Sequence, residues 1–387
     1  MLNKELIVRG APQEYLCQVG AWDTLPTHLE RRGLKNVLVV RGNASWEVAK
    51  KKFPVLSTVT STFEVYNGGS TYEERDRLVA IMETNKMDAI IAVGGGKIAD
   101  VCKATAAVLR LPVIILPTLA STCAAYTPLS VMYDEEGAMI RYDVFASSNA
   151  LLLIDPEMIL DSPKELLVAG IGDTLAKWYE ADVIINSLPT KSVEIEIAHF
   201  AAKMCRDNLL QYSEEALAAM DKQVLNEAFV KIIETNILVG GMVGGFGDDY
   251  GRCAGAHSIH DALTMVPETH HLLHGNKVAY GILVQLVIEN RWDEIERLLP
   301  FYSELGLPMS LYDMGLATLA EETLVAVSKR ATEPHETIHM MPGEMTADVV
   351  LNAMKQLEDS MAMNEWLSKN DYSERTTTRL RGHSSCE

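Results

Sequence analysis

Between residues 37 and 156 short apolar runs alternate with amphipathic stretches; the runs cover 37–40, 89–93, 113–116 and 151–154, rich in Val and Ile and bounded by Gly or Pro. Runs of this length suit strands buried on both faces, and the helical stretches between them suit crossovers in a parallel sheet. The pattern predicts an α/β fold. Within it, 129–133 and 138–145 are expected to form a hairpin that turns at Gly137 and flanks the site. Past residue 160 the period becomes helical, notably over 164–182, 190–212, 223–245, 273–289 and 346–362. Ser162 and Pro163 fit the N-cap and first position of the first of these helices. The reading is therefore an α/β domain over 1–160, a mostly α-helical domain over 161–365 and a cleft between them. The polar tail 366–387 has no apolar period and is expected to be disordered.

Composition narrows the function classes. Acidic residues outnumber basic ones 53 to 34 in 387 residues, a net charge of −19, which disfavours nucleic acid and anionic membranes as partners. No apolar run reaches the roughly 18 residues of a membrane span, and the first residues lack the basic-then-apolar order of a signal peptide. The chain is expected to be cytoplasmic. Its six cysteines, Cys17, Cys102, Cys123, Cys205, Cys253 and Cys386, show no C-x-x-C spacing, so a bound metal must rely on His and carboxylates.

Three clusters carry candidate chemistry. Gly94, Gly95, Gly96 and Lys97 follow a buried strand and open a helix, where glycines let backbone N–H groups approach a phosphate. A tight strand-to-helix turn explains the same triplet equally well. Residues 116–129, again just past a strand, are dense in hydroxyls and suited to line the same crevice. Asp173 opens the helical half, and five of the ten histidines fall between His257 and His274. One carboxylate with two imidazoles and an open position is the donor pattern of a catalytic zinc site.

With these clusters in this order, the chain resembles the iron-containing alcohol dehydrogenase and glycerol dehydrogenase family over about residues 5–365. The matching motifs are Gly-Gly-Gly-Lys-x-x-Asp, Pro-Thr-x-Ala-Ser-Thr, Gly-x-Gly-Asp and His-x-x-His followed by His-Gly-x-x-Val-Ala. The resemblance implies a dehydroquinate synthase-like fold, with a Rossmann-like N-terminal nucleotide domain, a helical metal domain and nicotinamide in the cleft. It implies Asp173, His257 and His274 as metal ligands. Gly94, Gly95, Gly96, Lys97, Asp100, Thr118, Ser121, Thr127, Leu129 and Tyr133 become dinucleotide contacts, and His260 lies by the nicotinamide. His260 is open to two readings, a proton route or a structural hydrogen bond. A homo-oligomer and a small-molecule substrate are also implied.

Departures from the family pattern sharpen the expectation. Iron-type members carry a fourth ligand His where this chain has Lys177, so the set resembles the three-ligand zinc type. Glycerol dehydrogenases place an Asp after Ala-Ser-Thr, where this chain has Cys123. A cation at Lys177, and a second at Arg252, favour a substrate carboxylate, as in the hydroxycarboxylate dehydrogenase branch, which reduces short 2-oxo acids. A pairing of Lys177 with Glu180 is the bland alternative. Gly42 stands where NAD-preferring relatives place an Asp, next to Arg41, which favours NADP and leaves NAD open. The rival functions are a polyol dehydrogenase, a dehydroquinate-synthase-like lyase and a non-catalytic nucleotide binder.

Overall fold

A computed structural model describes residues 5–363; the expected tail 366–387 lies outside the described residues. Among the described residues eight strands form, β1 (Tyr15–Cys17), β2 (Asn36–Arg41), β3 (Thr60–Val65), β4 (Ala89–Gly94), β5 (Val113–Pro117), β6 (Leu129–Tyr133), β7 (Met139–Val144) and β8 (Leu151–Ile154). Six of them make one sheet in the order β1-β8-β5-β4-β2-β3, parallel throughout. β6 and β7 pair antiparallel as the expected hairpin, with Gly137 at φ +94° in its turn, a conformation open to glycine at little cost. The four apolar runs are β2, β4, β5 and β8, and the last three are buried at every residue. The sequence pattern misses β1 and β3, because they lie at the sheet's edges. β3 reads Thr-Ser-Thr-Phe-Glu-Val, with no buried residue, and β1 has three residues.

Successive strand residues face opposite sides of the sheet. Val37, Val39, Ile91 and Val93 pack on one face, while Leu38, Val40, Ile90 and Ala92 pack on the other, in a core continuous with the helices of the second half. After β8 every element among the described residues is helical. Helix Lys164–Ser187 starts one residue later than expected, with Pro163 rather than Ser162 as N-cap, because Pro163 keeps an extended ψ of 132°. Helix Val193–Lys222 runs beyond 212 until Gln223 takes a left-handed φ of 53°, and Asn226 caps the next helix by accepting from Phe229 N–H at 2.7 Å. Glu227–Gly247, which includes a π-helical stretch at Thr235–Val239, is long and apolar enough to cross a membrane, yet 67 % of it is buried inside the protein. Its glycines serve packing: a Cβ on Gly241 would lie 2.3 Å from the Tyr126 ring.

The strand order places the site. From β2 the chain moves to one edge at β3 and returns on the other side of β2 at β4, so the connections diverge between β2 and β4. Ligands of open α/β sheets sit in the crevice outside the carboxyl ends of strands at such a switch. Those ends are Arg41 and Gly94.

Candidate active site

Asp173, Lys177 and Glu180 lie at i, i+4 and i+7 of helix Lys164–Ser187, hence on one face. Close helix packing brings His274 to that face. A Cβ on Gly275 would sit 1.7 Å from Ala169 O and one on Gly172 2.7 Å from Gly275 O, so neither position admits a side chain. His257 comes from helix Gly255–Leu263. Asp173 Oδ1 lies 3.2 Å from His257 Nε2 and 3.3 Å from His274 Nε2, and the three donor atoms lie within 4.8 Å of one another. Ligands at about 2.0–2.1 Å in a tetrahedron are separated by roughly 3.3–3.4 Å. The donor set, one carboxylate and two imidazoles, therefore fits one divalent cation. Burial opposes ionisation of Asp173, but Lys177 and hydrogen bonds from His257 and His274 hold its carboxyl well below the usual range.

A cavity of about 960 Å³ opens beside this trio and takes its walls from both halves of the chain. Of the residues expected at the site, Gly95, Gly96, Lys97, Asp100, Ser121, Cys123, Thr127, Leu129, Tyr133, Asp173, Lys177, Arg252, His257 and His274 line it. Gly95 N-caps the 14-residue helix Gly96–Leu109 without a side-chain bond, and the first-turn N–H groups of a helix have no partners within it. Cβ atoms on Gly95 and Gly96 would come to 3.1 Å from Leu119 Cδ2 and Thr122 Oγ1 respectively. This cradle fits a dinucleotide phosphate. The hairpin contributes Leu129, Val131, Tyr133, Tyr142 and Val144 to the wall.

Four expected residues do not line the cavity. Gly94 and Gly42 serve close packing, since Cβ atoms there would sit 2.4 Å from Ile98 Cδ1 and 2.7 Å from Ser45 Oγ. Thr118 is buried, with its N–H donating to Gly94 O at 3.1 Å. His260 is buried behind His274, with ring centroids 4.1 Å apart and Nδ1 2.8 Å from Asp261 Oδ1. Its hydrogen bond goes to a carboxylate. Burial, and then His274, hold the His260 imidazole well below its usual value, so it stays neutral.

Lys177 makes no ion pair with Glu180. Its ammonium donates to Arg252 O at 3.4 Å, while Glu180 turns to His257 and Ala254. Burial opposes the charge on Lys177, but Asp173 holds it protonated. Arg252 donates from Nη2 to Asp248 Oδ1 at 3.0 Å, and its Nε is buried with no partner among the described residues. Cys123 stands in the same wall, where burial raises its thiol pKa and keeps it neutral.

Lys103 was invisible to the motif reading. Fully buried on helix Gly96–Leu109, it pairs with Asp100 Oδ1 at 2.9 Å and donates to the carbonyls of Ala124, Thr127 and Leu129. It ties the glycine-loop helix to the hydroxyl loop and to β6. A lysine three residues after Asp100 on an apolar helix was the available signal. Glu336, Thr337 and Met340, which roof the cavity, carried no signal, since their segment has neither period nor motif.

Residues 12–156 match the family model described as iron-containing alcohol dehydrogenase. The chain is 35% identical over 362 residues to hydroxycarboxylate dehydrogenase A of Escherichia coli K12, covering 94% of this chain and all of that protein. Against glycerol dehydrogenase of Thermotoga maritima the identity is 34%, over 89% of this chain and 94% of that one. The crystal structure of glycerol dehydrogenase from Schizosaccharomyces pombe superposes with a TM-score of 0.85 at 29% identity, covering 96% of this chain and 94% of that chain. With this likeness spanning nearly the whole chain, the chain belongs to the iron-containing alcohol dehydrogenase family and is an oxidoreductase of it.

Proposed function

We propose that this chain is a metal-dependent NAD(P) oxidoreductase that interconverts short 2-oxo acids and 2-hydroxy acids. The observation that carries the substrate class is a pair of cations in the cavity wall, Lys177 and Arg252, beside the Asp173–His257–His274 trio, with Cys123 where a carboxylate would serve a polyol. Lys177 lies one helical turn from Asp173 and has no ion-pair partner within 4 Å among the described residues, so its ammonium is available to a substrate carboxylate. Arg252 adds a buried, unpartnered Nε on the same wall. The electroneutral Cys123 thiol neither repels that anion nor accepts from glycerol hydroxyls as a carboxylate does.

In this reading residues 1–160 hold the dinucleotide and 161–365 hold the metal and substrate. Asp173, His257 and His274 hold the cation. The N-terminal turn of helix Gly96–Leu109 receives the pyrophosphate, and Lys97, Asp100, Ser121, Thr127, Leu129 and Tyr133 receive the rest of the cofactor. When bound, the cation supplies Lewis acidity toward the substrate oxygen, and the nicotinamide supplies or accepts the hydride. His260 is assigned to brace the His274 ring rather than to touch substrate. The preference for NADP rests on Gly42, because no carboxylate stands at the end of β2 to repel a 2′-phosphate. Arg41 lies beside it, with its guanidinium 5.4 Å over the Trp46 ring. Three donors without a fourth His favour zinc over iron.

A polyol reading is favoured by the glycerol dehydrogenases among the relatives, such as that of Thermotoga maritima at 34% identity. The test is a panel of 2-oxo acids, aldehydes and glycerol, assayed with NADPH and NADH after reconstitution with Zn²⁺ or Fe²⁺. The highest kcat/KM is expected for a 2-oxo acid with NADPH. Glycerol oxidation more efficient than that of any 2-hydroxy acid would replace this reading with the polyol one.

A further inference from the structure

We propose that Glu180 is the positioning residue of His257: its carboxylate holds the Nδ1 proton and fixes the ring, so that Nε2 is the nitrogen offered to the cation beside Asp173. The inference rests on the metal reading above, and concerns a residue that neither touches the cavity nor supplies a ligand. Glu180 is fully buried. Its Oε1 accepts from two backbone N–H groups, Ala254 at 2.7 Å and His257 at 2.9 Å, and its Oε2 lies 2.6 Å from His257 Nδ1.

The tautomer follows from donor and acceptor counting. Backbone N–H groups only donate, so Oε1 is committed as an acceptor. An ionised carboxylate has no proton of its own to offer, so the short contact at Oε2 requires the proton to sit on Nδ1. With the Nδ1 proton committed to Glu180, Nε2 is the nitrogen turned to Asp173 Oδ1, 3.2 Å away, and the one whose lone pair a bound cation would take in place of a proton. The same carboxylate fixes the backbone beneath the ring. Helix Gly255–Leu263 has Ala254 as its N-cap residue, with no side-chain cap of its own. Glu180, from a different helix, takes the N–H of Ala254 and that of His257 in the first turn, where partners within the helix are lacking. One side chain thus sets both where His257 stands and which nitrogen it offers. Carboxylate partners of ligating histidines act in this way in metal sites generally.

Glutamine is the diagnostic substitution because it keeps the size of Glu180 and makes one end a donor. Its amide nitrogen faces either Nδ1, which drives the proton to Nε2, or two N–H groups, which breaks the cap. In Glu180→Gln the affinity for Zn²⁺, measured by competition with a chelator, is expected to fall about 10- to 100-fold. The d–d spectrum of the Co²⁺-loaded variant should change as well, while melting in excess chelator stays within a few degrees of wild type. A second arm needs no folded variant. In Zn²⁺-loaded wild-type protein with ¹⁵N-labelled histidine, the His257 signal, assigned by its loss in His257→Ala, should show a protonated Nδ1 and an unprotonated Nε2. Zn²⁺ affinity within twofold of wild type in Glu180→Gln, or an unprotonated Nδ1 in the Zn²⁺-loaded wild-type ring, overturns the proposal. Failure of the metal reading looks different: wild-type protein would then hold no stoichiometric Zn²⁺ sensitive to His274→Ala, whatever the tautomer arm reports.

Discussion

On the sheet side of the cavity a glycine turn presents the backbone of a helix N-terminus, whereas on the helical side stand ionisable side chains that hold one another. Gly95 and Gly96 leave room at a helix N-terminus where any side chain would meet Leu119 or Thr122. That wall works by shape and by peptide dipoles, both of which come from one stretch of chain. Opposite it, Asp173, Lys177, Glu180, His257 and His274 come from three helices, and the charge of each depends on the others. A group buried with its partners is costly to change one member at a time, because the remaining charges lose compensation. Lys103 shows that the sheet side has one such group too, a buried ion pair with Asp100 beneath the loop that carries the hydroxyls.

The largest effect should come from the trio itself. Asp173→Ala, His257→Ala and His274→Ala are each expected to lose most bound metal and turnover, with affinity falling by more than the roughly 10- to 100-fold typical of outer-sphere changes. Atomic absorption on dialysed protein measures this, and stoichiometric metal with full turnover in His274→Ala would sink the assignment. Next, Lys103→Met should destabilise the fold by about 3–5 kcal/mol in denaturant titration, because Asp100 is left buried and unpaired. It should also weaken dinucleotide binding, and adding Asp100→Asn should restore part of the stability. If Lys103→Met costs nothing, the sheet side does not depend on buried charge.

Asp261 tests how far buried charge governs the helical side. Burial, and then the nearby Glu336, push its carboxyl from 3.8 up to about 7. A carboxyl whose folded pKa is raised adds stability fully below its unfolded pKa and loses it as pH rises through the folded value. The window is therefore about pH 4 to 7, and the whole contribution is at most about 4 kcal/mol. Melting of Asp261→Asn should accordingly gain on wild type between about pH 4 and 7; a constant difference across that range would mean that Asp261 titrates normally. Lys177→Met should lower kcat/KM for a 2-oxo acid by about 2–3 kcal/mol and hardly affect an uncharged aldehyde. Equal losses on both would make Lys177 a support of the metal helix. The smallest effect belongs to the sheet side, where Gly42→Asp should shift preference toward NADH by about 1–2 kcal/mol, read from the ratio of kcat/KM for the two coenzymes. A wild-type enzyme that already prefers NADH strongly overturns the reading of that strand end.

What the chain by itself determined is what local pattern encodes. Continuous Val and Ile runs announced β2, β4, β5 and β8, helical period announced the second half, and the glycine triplet marked a strand-to-helix turn. The family resemblance of its motifs pointed to Asp173, His257 and His274 as candidate ligands, whose donor atoms the fold brings within 4.8 Å of one another. Edge strands β1 and β3 escaped because partial exposure removes the apolar signal. Only the tertiary structure decided which neighbours the charged groups have. Spacing on the helix allowed Lys177 to pair with Glu180, but packing gave Glu180 to His257. Spacing put His260 one turn from His257, but packing set it behind His274 and out of the cavity. The reason is physical: a periodic pattern records which side of an element is buried, whereas the partner of a buried charge lies on another element, at a distance along the chain that no local pattern records.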